Sequence, residues 1–304
     1  MKKLTLLLVA LLALTGCGSK ANEEKPAETS KLKVGTGIVS TINVADPGEK
    51  DGKFEGNVTY ATVVLDGDKI KFVTIDTAQN AIAVKADGTT SFEERKTKKE
   101  LGNDYGMSKA GKVEWFEQIA KLEEWMIGKT VAEIAKADAD TDLTSSVSIK
   151  TPGYIEAVTK AAASAVEVSG LVKVGVASST TGSEKEGKLE ISTVVTAVAL
   201  DKDGKSLSTV IDQAQLKGTL EGTVVGKTEE LRTKGEQKED YGMSGAGKVE
   251  WYKQVETLTN WSNGKTIDEI SGAKDASDVT SSVSITIDGF LSTIKKASEK
   301  AVAL

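Results

Sequence analysis

The sequence predicts an α+β fold made of two tandem copies of one domain, each an antiparallel sheet packed with helices. Three observations predict it: an internal repeat, strand-like alternation at the front of each copy, and helical spacing behind it. The segment DYGMSKAGKVEWFEQI at residues 104–119 recurs as DYGMSGAGKVEWYKQV at residues 240–255, identical at 12 of 16 positions with an offset of 136. A period of that length indicates a duplicated domain, because solenoid repeats are far shorter. We assign residues 31–168 to the first copy and residues 169–304 to the second.

The chain begins with a segment that we expect to be removed. Two lysines follow the initial methionine, an apolar run comes next, and Leu-Thr-Gly ends at Cys17. This pattern is typical of a secretory signal and is too short to span a membrane. The residues ending at Cys17 resemble the lipobox of bacterial lipoproteins; the alternative is a chance cysteine behind an uncleaved signal. We expect residues 1–16 to be a signal peptide, Cys17 to be lipidated, and residues 17–30 to form a flexible tether on the outer face of the cell membrane.

Each copy then opens with a β-hairpin. In the second copy, apolar and small residues alternate over residues 189–199, and an Asp-Gly turn leads into residues 206–211. In the first copy, residues 58–65 and 70–75 flank another Asp-Gly turn. A period of two predicts strands with one buried face, and the turn predicts that paired strands run antiparallel.

Helical signals follow the hairpin. Apolar residues fall at helical spacing from Trp115 to Met126, with Ser108 as a candidate cap and Gly128 as the expected end. Thr130 and Glu133 have the spacing of a capping box, and Thr266 and Glu269 repeat it in the second copy.

The last part of each copy combines hydroxyl-rich and helical sequence. Residues 144–149 are rich in serine and β-branched residues, which predicts a strand. Helices are expected at residues 154–166 and 290–302.

Composition limits the chemistry of the chain. It contains no histidine and one cysteine, and its net charge is 39 − 45 = −6. Without histidine, the chain has no His-dependent nucleophile and no His-ligated metal. With one cysteine, it has no internal disulfide and cannot hold an iron–sulfur cluster alone. The acidic balance argues against nucleic acid as a partner. We expect no metal site and no turnover enzyme, and redox or transfer chemistry would need a cofactor.

The four tryptophans are the first candidate site residues. Trp115 and Trp251 occupy matching positions, and each is followed ten residues later by a second tryptophan. Ten residues on a helix leave the two rings about 80° out of line, so one ring can enter the core while the other borders a groove. They are either paired core aromatics or, for Trp115 and Trp251, stacking platforms for a flat cofactor.

A duplicated hydroxyl-rich motif supplies the other candidates. The segment DLTSSVS recurs as DVTSSVS. Without any functional role, this composition is typical of a serine-rich edge strand. The motif contains two equivalent sets of residues, namely Asp142, Ser145, Ser146 and Ser148 in the first copy and Asp278, Ser281, Ser282 and Ser284 in the second.

This motif resembles the sequence D-x-x-[ST]-[GS]-A-[ST] of the FMN-binding domain in subunits of sodium-pumping and Rnf-type quinone reductases. In that family an ApbE-type flavin transferase esterifies the last hydroxyl with the phosphate of FMN. The resemblance implies covalent FMN on Ser148 and Ser284, with the other motif residues around it. Valine stands at Val147 and Val283, where the family prefers alanine.

The front of each copy extends the resemblance. Residues 51–75 look like the opening hairpin of the same domain, and the two copies follow a lipobox. The whole chain resembles the PplA-type lipoproteins, flavinylated proteins of extracellular electron transfer in Gram-positive bacteria. The resemblance implies a lipid-anchored electron carrier with two covalent FMN groups. Its donor would be a membrane quinone-linked reductase and its acceptors ferric iron or free flavins, and two flavins on one chain would allow hopping between sites.

Two other functions stay open at this point. The duplicated domain could hold a small ligand noncovalently, with the serines purely structural. Alternatively, the released signal fragment, residues 9–16, could be a peptide pheromone.

Overall fold

The computed structural model describes residues 31–137, 140–273, 279 and 283–304. The signal peptide, Cys17 and the tether lie outside these residues. Among the described residues, no helix is both long and apolar enough to cross a membrane.

The α+β prediction is confirmed by two five-stranded antiparallel sheets, each covered by helices. The first sheet has the order β4-β3-β2-β1-β5 and the second the order β10-β6-β7-β8-β9. The strands of the first sheet are β1 (Leu32–Ala45), β2 (Gly52–Asp66), β3 (Lys69–Val84), β4 (Thr90–Phe92) and β5 (Val166–Val168). Those of the second are β6 (Lys173–Lys185), β7 (Lys188–Leu200), β8 (Ser206–Glu221), β9 (Val224–Lys227) and β10 (Val302–Ala303).

The helices are short, and the longest have 12 residues. In the first copy they are α1 (Lys98–Leu101), α2 (Trp115–Met126), α3 (Val131–Ile134), α4 (Thr141–Ser146) and α5 (Pro152–Ala163). In the second copy they are α6 (Lys234–Gln237), α7 (Trp251–Ser262), α8 (Ile267–Ser271) and α9 (Asp288–Glu299). The capping boxes of α3 at Thr130 and of α8 at Thr266 are formed as predicted.

The strands are buried on both faces, which the alternating pattern did not predict. On one face of the first sheet, Phe54, Val58 and Tyr60 pack against Ile191 and Leu216 of the second sheet. On the opposite faces, each sheet packs against the helices of its own copy. The molecule is therefore four layers deep, with helices outside and two sheets face to face inside.

Reciprocal ion pairs join the two copies. Glu100 lies 2.5 Å from the Lys300 ammonium and 3.3 Å from that of Lys296. Glu236, which is 136 residues after Glu100, lies 2.8 Å from Lys160, which is 136 residues before Lys296. The two copies thus face each other with approximate twofold symmetry, as in an isologous dimer.

Three sequence expectations are wrong. The expected strand at residues 144–149 is not formed, because residues 144–146 belong to helix α4 and residues 147–149 are irregular. The final helices end at Ala163 and Glu299, and the valines beyond them form the edge strands β5 and β10. Ser108 does not cap α2, whose N-cap residue is Glu114.

Candidate functional site

Ser148 lies in the irregular loop between α4 and α5 and is exposed to solvent. The side chain of Gln118 on α2 holds this loop. The Oε1 atom of Gln118 accepts hydrogen bonds from the Ser148 amide at 2.7 Å, the Ser148 hydroxyl at 3.1 Å and the Ile149 amide at 3.1 Å. One buried acceptor therefore orients the backbone and the hydroxyl of Ser148.

The second copy repeats this arrangement. The Oε1 atom of Gln254 accepts hydrogen bonds from the Ser284 amide at 2.6 Å, the Ser284 hydroxyl at 3.3 Å and the Ile285 amide at 3.2 Å. Ser284 is exposed, and Gln254 is buried on α7. The two serines predicted as FMN acceptors thus share one local geometry.

The same glutamine also holds the glycine-rich loop that precedes α2. The Nε2 atom of Gln118 donates to the Val113 carbonyl at 2.7 Å. Glycines with positive φ, Gly106 at 85° and Gly111 at 70°, end the successive 3₁₀ turns of this loop, a conformation that other residues adopt at a cost. Gln118 therefore joins the glycine-rich loop to the serine loop.

A carboxylate closes the glycine-rich loop. Glu114 accepts hydrogen bonds from the amides of Met107 at 3.1 Å and Ser108 at 2.9 Å. Hydrogen bonds, chiefly from Ser108, lower the pKa of Glu114 below its ordinary value. Glu250 makes the equivalent bonds in the second copy, so both loops are held by an ionised carboxylate near neutral pH.

A cavity of about 280 Å³ opens beside the loop that carries Ser148. Its wall is mixed, with four apolar residues and three polar or charged ones, namely Leu143, Val147, Ile149, Pro152, Thr144, Lys150 and Thr151. The exposed Ser148 thus lies on an irregular loop whose neighbouring residues line a small cavity. Val147, the residue that departs from the FMN-binding motif, is buried and forms part of this wall.

Trp115 and Trp251 do not offer a stacking surface, so the structure corrects the cofactor-binding role expected for them. Their residues are 2% and 3% exposed, which leaves no ring face for a cofactor. Trp115 donates a hydrogen bond to the Tyr154 hydroxyl at 2.8 Å and meets that ring edge to face. Trp251 meets Phe290 in the same way. Both are core residues, as the alternative interpretation held.

The later tryptophan of each pair is partly buried. The Nε1 atom of Trp125 donates to Asp140 at 2.9 Å, just before α4, and the Lys129 ammonium lies 4.9 Å from the ring centre. Lys265 lies 4.8 Å from the ring of Trp261 in the second copy. These are cation–π contacts that fix the rings at the surface.

The remaining predicted residues divide into two groups. Asp142, Ser145 and Ser146 lie in α4, and the two serines are exposed. The Ser146 hydroxyl donates to the Leu143 carbonyl at 3.0 Å. The equivalent residues of the second copy lie outside the described part of the chain, namely Asp278, Ser281 and Ser282.

Sequence reasoning missed the two glutamines and the two glutamates that organise the site. A signal for Gln118 and Gln254 was present, because both are polar, identical between the copies, and on the apolar face of an amphipathic helix. A buried polar side chain needs hydrogen-bond partners, so repetition at such a position indicates a fixed contact.

The chain was also compared with known proteins. No protein family, curated protein or solved structure matches it.

Proposed function

We propose that the protein is a lipid-anchored extracellular electron carrier with one covalent FMN on Ser148 and one on Ser284. The observation that carries the proposal is the duplicated serine geometry. In each copy an exposed serine lies on an irregular loop, and its hydroxyl is bonded to a buried glutamine at the equivalent position of the preceding long helix.

The residues of the chain would orient the attachment point. Gln118 and Gln254 fix the hydroxyl-bearing backbone, and in the first copy Val147 and Ile149 give a flat ring an apolar part of the cavity wall to lie against. Covalent attachment suits a protein outside the cell, because a noncovalent cofactor would dissociate on dilution. The bound FMN would supply the electron-transfer chemistry, while the protein supplies placement.

The proposed partners follow from the resemblance of the sequence to flavinylated lipoproteins. An ApbE-type flavin transferase would load the serines, a membrane quinone-linked reductase would donate electrons, and ferric iron or free flavins would accept them. The proposed lipid on Cys17 would keep the carrier near its donor and raise its effective concentration there.

The test is the intact mass of the protein after co-expression with a flavin transferase. We expect two FMN-sized increments on the wild-type chain, one on Ser148→Ala or Ser284→Ala, and none on the double variant. Ser292→Ala, an exposed serine on α9, is the matched control and should retain both increments. Wild-type protein without an increment, or a double variant that keeps one, would disprove the assignment.

A second candidate function is noncovalent binding of a small ligand. A cleft of about 460 Å³ between the two copies favours it, with Lys160, Asp212, Thr233 and Glu236 in its wall. Acid precipitation distinguishes the two functions. Flavin colour that stays with the precipitate supports the covalent carrier, whereas release of a ligand into the supernatant supports the binding domain.

A further inference from the structure

The two serine loops lie on opposite outer faces of the molecule. Ser148 is bonded to α2, which packs on the outer face of the first sheet together with α5. Ser284 is bonded to α7, which packs on the outer face of the second sheet together with α9. Both sheets lie between the two loops.

The layers set the separation of the two helices that hold the loops. Face-to-face sheets are about 10 Å apart, and a helix with its side chains is about 10 Å across. The axes of α2 and α7 are therefore about 30 Å apart across the layers, and any lateral offset lengthens the path. The material between them is a packed core that includes Phe54, Tyr60 and Leu216.

Electron tunnelling through protein falls exponentially with distance, so this core is a poor path between the loops. Each loop, by contrast, is open to solvent. The glutamine that bonds each serine also bonds the carbonyl of an exposed valine, and Val113 and Val249 are both 46% exposed.

We infer that the two serine loops are separate sites of electron entry and exit, called electron ports below, and that they work in parallel. Each port exchanges electrons directly with partner molecules. This inference rests on the proposed function and replaces hopping between the two sites of one chain. An electron that enters at one port comes from a reduced donor, which is thereby oxidised. It leaves by the same port to ferric iron or an oxidised flavin, which is thereby reduced.

The first test compares electron flux in three variants after loading with a flavin transferase. For ports in parallel, Ser148→Ala and Ser284→Ala each keep about half of the wild-type rate of ferric reduction, and the double variant keeps none. For sites in series, either single variant would lose nearly all of the flux, and that result would overturn the inference. Intact mass taken on the same samples separates this failure from a failure of the proposed function, in which the wild type carries no FMN.

The second test needs no flavin. Nitroxide labels are placed on Ser148→Cys and Ser284→Cys in a chain whose Cys17 is replaced by serine, and their separation is measured by pulsed electron paramagnetic resonance. We expect a separation of about 30 Å or more, from the layer spacing. A separation of about half that value would place the sites within reach of each other and overturn the inference.

Discussion

Gln118 and Gln254 show how one buried amide can organise a surface site. Each is 1% exposed, and each uses both ends of its side chain, the oxygen toward the serine loop and the nitrogen toward the glycine-rich loop. A buried amide satisfied in this way is stable, whereas one that loses its partners carries a cost of about 1–3 kcal/mol.

Replacing Gln118 should therefore loosen one loop and leave the other intact. In Gln118→Leu, we expect hydrogen–deuterium exchange of the Ser148 and Ile149 amides to rise by about fivefold, because each loses a bond of about 1 kcal/mol. The matched control is Gln254→Leu, in which only the Ser284 and Ile285 amides should change. Unchanged exchange at Ser148 in Gln118→Leu would contradict the positioning role.

Asp212 is a buried carboxyl whose protonation makes the stability of the protein depend on pH. Burial raises its pKa to about 6, although Thr233 and the amides of Gly235 and Gln213 donate hydrogen bonds to it. The folded state thus keeps this proton to about pH 6, whereas the unfolded carboxyl releases it near its ordinary pKa of 3.8. Between those values the folded state binds more protons, so stability falls as the pH rises.

The prediction concerns the pH dependence of stability. In Asp212→Asn, the free energy of unfolding from urea titrations should fall less than that of the wild type as the pH rises from about 4 to about 7. A constant offset between the two proteins would report only the hydrogen bonds altered by the substitution, so the slope is the diagnostic quantity. Parallel profiles would show that Asp212 does not titrate in this range.

At the scale of elements, the hairpins were predictable. The alternating residues 58–65 and 70–75 lie in β2 and β3, and the Asp-Gly turn joins them, because period and turn chemistry are local properties of the chain. The sequence did not indicate that both faces are buried, since the second cover is another sheet whose position depends on the whole fold.

Helix α4 shows where composition misleads. Residues 144–149 have the serine and β-branched content of a strand, yet Asp140 accepts a hydrogen bond from the Leu143 amide at 3.0 Å and begins a helix. A capping aspartate satisfies a free amide of the first turn and outweighs a weak preference for strand. For the candidate site, the motif pointed to the two serines, whose role stays a prediction. The burial of Trp115 and Trp251 depends on tertiary packing, which the motif does not contain.

In each copy a helix packs so closely on the sheet that only glycine fits at one strand position. A Cβ at Gly35 of β1 would overlap the Ala161 carbonyl of α5, and a Cβ at Gly175 of β6 would overlap the equivalent Ala297 carbonyl of α9. Gly35→Ala should lower the free energy of unfolding by about 3 kcal/mol, because α5 must shift. Gly48→Ala, where no atom lies within 4 Å, is the control and should change it little. Equal effects at both positions would contradict the packing.

At the scale of the molecule, the shared sheet-to-sheet core makes the two copies one cooperative unit. Residues of both sheets belong to one apolar cluster, so neither copy can unfold without exposing the inner face of the other.

A substitution in one copy should therefore destabilise the other. Leu216→Ala, in the second sheet, should cost about 2–5 kcal/mol. The fluorescence of Trp115 and Trp125 in the first copy should report this loss in a background of Trp251→Phe and Trp261→Phe. Leu304→Ala, at the exposed C-terminus, is the control. Two separate transitions, with the first copy unaffected by Leu216→Ala, would contradict a shared core.

Joining two copies in one chain also permits a contact that identical subunits would have to make twice or not at all. Tyr60 lies opposite Asp76 in its sheet, and its hydroxyl contacts Ser178 of the other copy at 3.2 Å. At the matching place in the second sheet, Val195 lies opposite Asp212. A homodimer encodes each interface residue for both sides at once, whereas a fused pair can mutate them independently. Because the two copies lie in one chain, the two aspartates need not have the same neighbours: Asp76 lies beside the phenol of Tyr60, and Asp212 beside the aliphatic side chain of Val195.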